Sequence, residues 1–211
     1  MADKRLVKLR GIGLNESRSR PRVGVLAIQG DYAAHADALT ESGAIPVEVR
    51  KPEELDDLNG LVLPGGESTT MLKFLEKRGF FDVLKEYCRH HPVFGTCAGT
   101  ILLARDVQNP AQRSLGVLDI VVERNAYGRQ IDSSILTTET SLPGGPLEMV
   151  FIRAPRIIQT GSAVEVLARR DDFATLVRQG NVLAATFHPE LSSDRRVHKE
   201  FVETITASTR K

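Results

Sequence analysis

The chain has 211 residues, 41% of them hydrophobic and 26% charged, which is the size and composition of one globular domain. No apolar run approaches the roughly 18–20 residues of a membrane span, and no signal-peptide pattern opens the sequence, so we expect a cytoplasmic protein with no membrane partner. Residues 1–22 hold seven basic and two acidic residues, which leaves a mildly acidic body and argues against a nucleic-acid partner. We therefore expect a disordered basic extension over residues 1–21, with a contact to an acidic partner surface as the alternative, and a single domain over 22–211.

The first half of the chain alternates short apolar runs with segments of helical periodicity. The predicted strands are 23–28, 45–49, 60–63 and 93–95. The predicted helices are 31–42, one that Ser68 caps and that runs to Lys77, 80–89, and one that follows a turn at 96–98 and continues through Arg105. This alternation predicts a doubly wound α/β sheet.

The second half is rich in short β-branched segments separated by glycine and proline turns. The predicted strands are 117–122, 131–137, 147–152, 163–168, 173–178 and 181–186, and a closing helix is predicted over 193–206. Several of these strands are expected to add to the sheet in antiparallel orientation. The predicted fold class is α/β, a single-domain, open, mostly parallel sheet with helices on both faces and antiparallel additions.

Cys97 lies in the segment VFGTCAGTILL, residues 93–103, where a strand is followed by Gly-Thr-Cys-Ala-Gly and a helix. This pattern is typical of an elbow that presents a nucleophile, because the turn is too tight for a Cβ at Gly95 or Gly99. A helix N-terminus favours the thiolate, and the N–H of Ala98 is placed to bind an oxyanion. A buried small residue beside a glycine turn is the alternative for Cys97. Cys88 has no glycine context in its helix, and we predict that it is inert.

His188 is the predicted base, because a nucleophilic cysteine needs a histidine within hydrogen-bond reach and usually a third group that holds the histidine. His188 follows an apolar strand in VLAATFHPEL, and strand ends are where an open α/β sheet binds its ligands. Glu190 is two residues further on, so in an extended segment both side chains would point to the same side. A surface His-x-Glu pair would be the simpler explanation if Cys97 were absent.

The other four histidines are weaker candidates. His90 and His91 lie at a helix C-terminus, where they could complement the helix dipole. His198 falls in a helix that we predict to be exposed. His35 could face the cleft, but we expect it to lack a carboxylate neighbour.

A cysteine followed by His-x-Glu on such a sheet resembles the class I glutamine amidotransferases, which have a flavodoxin-like fold. Within that class the sequence resembles one family, the glutaminase subunits of the pyridoxal 5′-phosphate synthase complex. The motifs are LAIQGDYAAH (26–35), LPGGESTTM (63–71), FGTCAG (94–99), VVERNAYGRQ (121–130), VFIRAP (150–155) and TFHPEL (186–191). The likeness covers about residues 23–205, and LPGGEST and VERN-x-[YF]-GRQ are its specific parts.

The resemblance implies that L-glutamine is hydrolysed to glutamate and ammonia by a triad and an oxyanion hole. The triad would be Cys97, His188 and Glu190, and the oxyanion hole would be the N–H groups of Gly66 and Ala98. The glutamine site implied by the resemblance consists of Gly66, Glu67, Ser68, Arg124, Ile152 and Arg153. Arg124 suits the α-carboxylate and Glu67 the ammonium group, whereas an ordinary surface ion pair is an alternative for Arg153.

The resemblance also implies a partner, a synthase subunit that combines the ammonia with a pentose phosphate and a triose phosphate to make pyridoxal 5′-phosphate. It implies no metal and no bound cofactor in this chain. Three other interpretations stay open. A glutaminase of histidine or anthranilate biosynthesis would share the triad but not the LPGGEST and VERN-x-[YF]-GRQ motifs. A cysteine peptidase or related hydrolase would ignore a free glutamine analogue, and a non-enzymatic binding module would not need an intact triad.

Overall fold

The computed structural model of the protein describes residues 20–124 and 133–208. The predicted basic extension therefore lies outside the described residues except for its last two, and so does the stretch 125–130 of the VVERNAYGRQ motif. None of the helices in these two ranges combines the length and the apolar character that crossing a bilayer requires.

The described residues form twelve strands and five α-helices. The strands are β1 (Arg22–Leu26), β2 (Ile45–Val49), β3 (Gly60–Leu63), β4 (Val93–Thr96), β5 (Ala104–Gln108), β6 (Leu118–Glu123), β7 (Ser134–Thr138), β8 (Leu147–Phe151), β9 (Arg156–Thr160), β10 (Glu165–Arg170), β11 (Phe173–Gln179) and β12 (Val182–Ala185). The helices are α1 (Tyr32–Glu41), α2 (Ser68–Lys77), α3 (Phe80–His90), α4 (Ala98–Leu103) and α5 (Arg196–Ser208). Two 3₁₀ turns are formed by Pro52–Leu55 and Pro189–Leu191.

Ten of the strands form one sheet in the order β2-β1-β3-β4-β12-β11-β9-β6-β5, with β10 paired to β11. Strands β1 to β4 and β12 run parallel to one another. Strand β11 is antiparallel to β12, β9 and β10, and β9 is antiparallel to β6. Strands β7 and β8 form a separate antiparallel ribbon. The predicted fold class, a mostly parallel α/β sheet with antiparallel additions, is confirmed.

The core lies on both faces of the sheet, because successive side chains of a strand point to opposite faces. In β3, Leu61 and Leu63 pack into one hydrophobic cluster with the apolar sides of α2, α3 and α4. The residue between them, Val62, packs into a second cluster with α1, α5 and β8. Strands β3 and β4, in which every residue is buried, are therefore covered on both faces, as a parallel sheet requires, whereas β2 at the sheet edge is only partly buried.

The predicted elements agree with the structure apart from their ends, with two exceptions. The helix predicted through Arg105 ends at Leu103, and the chain continues directly into β5. The reason is long-range, because the N–H groups of Leu115 and Val117 donate to the carbonyls of Leu102 and Leu103, which a helix end would leave unpaired. Strand β9 was not predicted, since only Ile157 in it is fully buried and its apolar pattern is weak.

Candidate active site

Cys97 lies at the elbow between β4 and α4, with a backbone φ of +47° and ψ of −102°. This positive φ is a strained conformation for a residue with a side chain, and such strain is found where a fold presents a reactive group. A Cβ on Gly95 would lie 2.8 Å from the Gly99 carbonyl carbon, and a Cβ on Gly99 would overlap the Leu63 carbonyl oxygen. The collisions expected at both glycines are therefore present.

Thr100, the third residue of α4, links the elbow to strands β4 and β12. Its hydroxyl lies 3.0 Å from the Gly95 carbonyl and 2.6 Å from the Ala185 carbonyl. The Cys97 N–H also donates to the Ala185 carbonyl, at 2.9 Å. Since these groups are buried, the elbow is held on β4 and β12 by hydrogen bonds that water cannot replace.

The structure brings His188 to Cys97 because β12 lies parallel to β4, with Ala185 opposite Thr96. The chain then continues from β12 over the elbow, and the imidazole forms a hydrogen bond with the Cys97 thiol. Burial by itself lowers the pKa of His188, but the hydrogen bonds and negative charges of Cys97 and Glu190 outweigh it and raise the pKa to about 10. The site therefore favours the protonated form of His188.

Glu190 holds the other side of the imidazole, with 2.8 Å between its Oε1 and His188 Nδ1. The sequence analysis placed the two side chains on one side of an extended segment, and this reason is wrong. Residues Pro189–Leu191 form a 3₁₀ turn, which folds the carboxylate back under the ring. Glu190 is 4% exposed, so its charge faces His188 with little solvent screening.

Of two further histidines, His35 lies next to Glu190 and His198 lies next to His35, and the predictions for both were wrong. His35 does have a carboxylate neighbour, because its Nε2 lies 3.3 Å from Glu190 Oε2. His198 is fully buried, not exposed, and its Nε2 lies 3.1 Å from His35 Nδ1. A signal for His198 exists in the sequence, since it lies at helical spacing with the buried Phe201, Val202 and Ile205.

A pocket of about 300 Å³ opens on Cys97. It is lined by Gly66, Glu67, Ser68, Cys97, Ile101, Arg124, Ile152, Arg153 and His188. The structure thus brings together at one pocket all six residues predicted to bind glutamine, although they come from three separate segments. Ile101 was not predicted, but its position one helical turn after Cys97 could have indicated it.

The segment Ile152-Arg153 reaches the pocket because β8 lies beside the loop that carries His188. The His188 N–H donates to the Val150 carbonyl at 2.8 Å, so the end of β8 lies against the loop that carries the imidazole. Arg153 then turns into the pocket with a φ of +44°, a conformation that few non-glycine residues adopt.

The opposite wall of the pocket is formed by the start of α2. Glu67, and not the predicted Ser68, caps this helix, since its carboxylate accepts from the N–H groups of Thr69 at 3.0 Å and Thr70 at 2.6 Å. Burial raises the pKa of Glu67, but the hydrogen bonds from Thr70 and Thr69 outweigh it and lower the pKa to about 2. Arg124 joins this wall, with its Nη2 2.8 Å from Thr69 Oγ1 and 3.5 Å from Glu67 Oε1.

Gly65 and Gly66 separate this wall from the catalytic cysteine. The His188 ring lies against Gly65, where a Cβ would come 2.4 Å from Cε1. Gly66 has a φ of +134° and packs on the Gln29 side chain, whose Nε2 donates to the Glu67 carbonyl. Position 65 therefore requires glycine because a side chain would collide with the His188 ring, and position 66 requires glycine because of its positive φ.

A larger cavity of about 430 Å³ lies elsewhere and is lined in part by Cys88, His91 and Gln179. Burial raises the pKa of the Cys88 thiol, so this sulfur remains protonated. The His91 ring stacks on Tyr87 with 4.1 Å between the ring centroids, and its Nδ1 lies 3.1 Å from the Tyr87 carbonyl. The larger cavity therefore lacks a reactive pair, and the smaller one at Cys97 is the candidate active site.

The sheet order and the cysteine elbow define the class of protein. A solved structure described as a glutamine amidotransferase matches with a TM-score of 0.81 and 47% identity, covering 87% of this chain and 98% of that one. The fold of this chain is thus that of a glutamine amidotransferase. Residues 25–207 match the SNO glutamine amidotransferase family, and the chain belongs to that family.

Relatives in this family carry a more specific name. The pyridoxal 5′-phosphate synthase subunit PdxT of Koribacter versatilis is 59% identical over 184 residues, which cover 87% of this chain and 95% of the relative. The protein of the same name from Thermotoga maritima is 50% identical over 186 residues, covering 87% and 99%. The structure of PurLQS from Thermotoga maritima, at 19% identity and a TM-score of 0.66 over 91% of this chain and all of that chain, shares the fold alone.

Proposed function

We propose that this chain hydrolyses L-glutamine to glutamate and ammonia, and that it delivers the ammonia to a synthase subunit that makes pyridoxal 5′-phosphate from a pentose phosphate and a triose phosphate. The observation that carries this proposal is the hydrogen-bonded series of Cys97, His188 and Glu190 at the edge of a polar pocket. The relatives that are 50–59% identical and bear the name pyridoxal 5′-phosphate synthase subunit support the choice of synthase.

The first half-reaction forms a thioester. The Cys97 thiolate attacks the side-chain amide carbon of glutamine, and the N–H groups of Gly66 and Ala98 hold the resulting oxyanion. The His188 imidazolium gives its proton to the amide nitrogen as the C–N bond breaks and ammonia leaves. Ala98 is the first residue of α4, so its N–H has no partner inside the helix.

The second half-reaction regenerates the enzyme. Neutral His188 takes a proton from water, the hydroxide attacks the thioester carbon, and glutamate leaves as the Cys97 thiolate is released. Glu190 fixes the imidazole so that Nε2 faces the cysteine throughout, because Nδ1 donates to its Oε1. The carboxylate also stabilises the imidazolium that both steps require.

The pocket wall supplies groups that fit a free amino acid. Arg124 is 13% exposed at its side chain and offers a guanidinium to the α-carboxylate, while Glu67 offers a negative charge to the ammonium group. Ser68 is held in place by its hydroxyl, which donates to Gln112 Oε1 at 2.9 Å. Ile152 and Arg153 close the side next to His188.

Binding of the synthase completes the oxyanion hole in this proposal, and the isolated chain is a poor glutaminase. The support is the glycine pair Gly65-Gly66, whose shared peptide can turn, and its contact with the Gln29 side chain and with Gly30. A change at Gln29 on docking would therefore reach the Gly66 N–H directly. The loss of one oxyanion donor costs about 2.7–4 kcal/mol of transition-state stabilisation, which is enough to keep the free chain nearly inactive. Equal turnover by the free chain and by the complex would disprove this gating.

The remaining expectations from the sequence belong to the same proposal. The amidotransferase domain comprises residues 22–211, and residues 1–21 are a basic extension, of which 1–19 lie outside the described residues. The chain works in the cytoplasm, it binds neither nucleic acid nor membrane, and its own chemistry uses no metal and no cofactor.

The nearest alternative is a glutaminase that serves another synthase. It is less well supported, because the PurLQS structure matches the fold at only 19% identity, whereas the PdxT relatives from Koribacter versatilis and Thermotoga maritima are 59% and 50% identical over 87% of the chain. The deciding experiment measures ammonia release from glutamine with and without a pyridoxal 5′-phosphate synthase subunit. We expect stimulation by the subunit and no activity in Cys97→Ala, while Cys88→Ala serves as the matched control and retains full activity. Ammonia release by Cys97→Ala would refute the proposed chemistry, and the absence of stimulation would refute the proposed partner.

A further inference from the structure

Behind the triad, a buried row of side chains continues from Glu190 into the core. Glu190 uses Oε1 for His188, and its Oε2 has His35 Nε2 as a polar neighbour at 3.3 Å. The same Nε2 lies 3.1 Å from Thr96 Oγ1, and His35 Nδ1 lies 3.1 Å from His198 Nε2. His35 and His198 are both fully buried, so two polar rings occupy a place where apolar side chains would ordinarily pack.

The protons in this row can be assigned from the partners. A carboxylate only accepts, so His35 Nε2 must carry the proton if it is to attract Glu190. His35 Nδ1 is then an acceptor, and His198 Nε2 must donate to it. This leaves His198 Nδ1 as a bare acceptor, in agreement with its lack of a hydrogen-bond partner in the described part of the chain. The reverse assignment would bury an unpaired N–H and turn a ring lone pair toward the carboxylate.

Both rings stay neutral at the pH of catalysis. Burial lowers the pKa of His35 well below its ordinary value of 6.5, and the charges of His198 and His188 lower it further. Burial and the charge of Arg195 lower the pKa of His198 to about 3, against an opposing effect of Glu41. The row therefore presents a neutral N–H group to Glu190 Oε2 at 3.3 Å and adds no charge to the site.

We propose that His35 is a positioning residue, which fixes the second carboxylate oxygen of Glu190 so that the first stays on His188, and that His198 sets the tautomer in which His35 can do so. The row of interacting side chains then runs from Cys97 through His188, Glu190 and His35 to His198 in helix α5. This inference rests on the proposed function, because it assigns a role within the same reaction. Glu190 Oε2 is buried and accepts no hydrogen bond within the described residues, so the His35 Nε2–H at 3.3 Å is the polar group that attracts it, and without this N–H the carboxylate could turn away from His188.

The test compares His35→Gln, which keeps an N–H donor in the place of Nε2, with His35→Leu, which has none. In the complex with the synthase subunit we expect His35→Leu to lower kcat roughly 10–100-fold, as loss of a supporting hydrogen bond does elsewhere, with KM changed less than about twofold. His35→Gln should recover most of that loss. The matched control is His90→Leu, which removes an exposed histidine 2.9 Å from Glu86 and should leave kcat unchanged.

A second readout needs no glutamine and therefore separates this inference from the proposed function. The rate of Cys97 alkylation by iodoacetamide is followed against pH, since it reports the thiolate that pairs with the His188 imidazolium. When Glu190 no longer holds His188, that ion pair weakens, so the pH midpoint of alkylation should rise by about one unit in His35→Leu, which corresponds to about 1.4 kcal/mol. This result would stand even if the wild-type chain released no ammonia.

The role of His198 is tested by a double-mutant cycle. His198→Leu should lower kcat about three- to tenfold in the wild-type background but not in His35→Gln, because an amide has no tautomer to set. Thermal unfolding of each variant shows whether it is folded. If His35→Leu is unfolded, His35→Gln and the double-mutant cycle still test whether His198 acts through His35. Equal loss from His198→Leu in both backgrounds, equal loss in His35→Leu and His35→Gln, or an unchanged midpoint in folded His35→Leu would each overturn the proposal.

Discussion

Gly65 offers the sharpest test of the catalytic geometry, because it is the surface on which the base lies. A methyl group added by Gly65→Ala would come 2.4 Å from His188 Cε1, 3.0 Å from Nδ1 and 3.5 Å from Cys97 Cβ. Ordinary carbon–carbon contacts are about 3.5–4.0 Å, so the ring must move by about 1 Å. The ring cannot move freely, since Nδ1 is hydrogen-bonded to Glu190 and the His188 N–H donates to the Val150 carbonyl.

The expected loss is large for activity and modest for stability. A misplacement of about 1 Å costs roughly 10²-fold in rate, and overpacking costs about 1–3 kcal/mol of the free energy of unfolding. Ammonia release in the presence of the synthase subunit gives the first quantity, and urea unfolding gives the second. A diazo ketone analogue of glutamine should also alkylate Cys97 more slowly in the variant.

Gly60→Ala is the matched control for crowding. A Cβ there would come 2.7 Å from Ile205 Cδ1 and 3.2 Å from Phe201 Cζ, far from the pocket. We expect a similar loss of stability with kcat unchanged. If folded Gly65→Ala kept its kcat within about twofold, the imidazole would not lie where the structure has it, and the assignment of the base would need revision.

Three further predictions follow from the surroundings of the site. Thr100→Val keeps the shape of the side chain but removes the one buried O–H that lies between the Gly95 and Ala185 carbonyls, so it should lower the free energy of unfolding in urea by about 1–3 kcal/mol, whereas Thr100→Ser should lower it less. The pKa of Glu67 is lowered from 4.5 to about 2, so the stability that this carboxylate adds is fully present above pH 4.5 and is lost as the pH falls toward 2. The difference in the free energy of unfolding between wild type and Glu67→Gln should therefore shrink over that pH interval. Iodoacetamide at neutral pH should modify Cys97 and spare Cys88, whose thiol pKa is raised by burial, and peptide mass spectrometry that finds Cys88 modified in folded protein would contradict the structure.

The sequence predicts those parts of the site that depend on local geometry. The elbow at Cys97 is local, because the demand for glycine at positions 95 and 99 comes from a turn of a few residues. The sequence also predicts that His188 follows a buried strand. It gives the wrong cap for α2 because Glu67 and Ser68 are both acceptable capping residues, and only the observed backbone shows which side chain reaches the free N–H groups.

Contacts between distant segments are the part that could not be predicted. His35 meets Glu190 because helix α1 packs beside the 3₁₀ turn Pro189–Leu191, and nothing in either segment alone specifies that approach. The wrong prediction that His198 is exposed has a different cause. The charged neighbours Arg195, Arg196 and Lys199 suggested an exposed helix, but Arg195 precedes α5, and neither Arg196 nor Lys199 belongs to the buried row of His198, Phe201, Val202 and Ile205. Charge along a helix says little about one of its faces.

The division of the site between the two halves of the chain follows from the sheet itself. A parallel strand pair places both carboxyl ends at one edge, so Cys97 after β4 and His188 after β12 can meet only because the chain returns to lie beside β4. The same return brings the end of β8 to the pocket, where the His188 N–H donates to the Val150 carbonyl. In the proposed mechanism, the substrate contacts of Ile152 and Arg153 are therefore coupled mechanically to His188. A change that loosens the β7–β8 ribbon should raise KM and lower kcat together, whereas a change at the Arg124 wall, which touches neither Cys97 nor His188, should act mainly on KM.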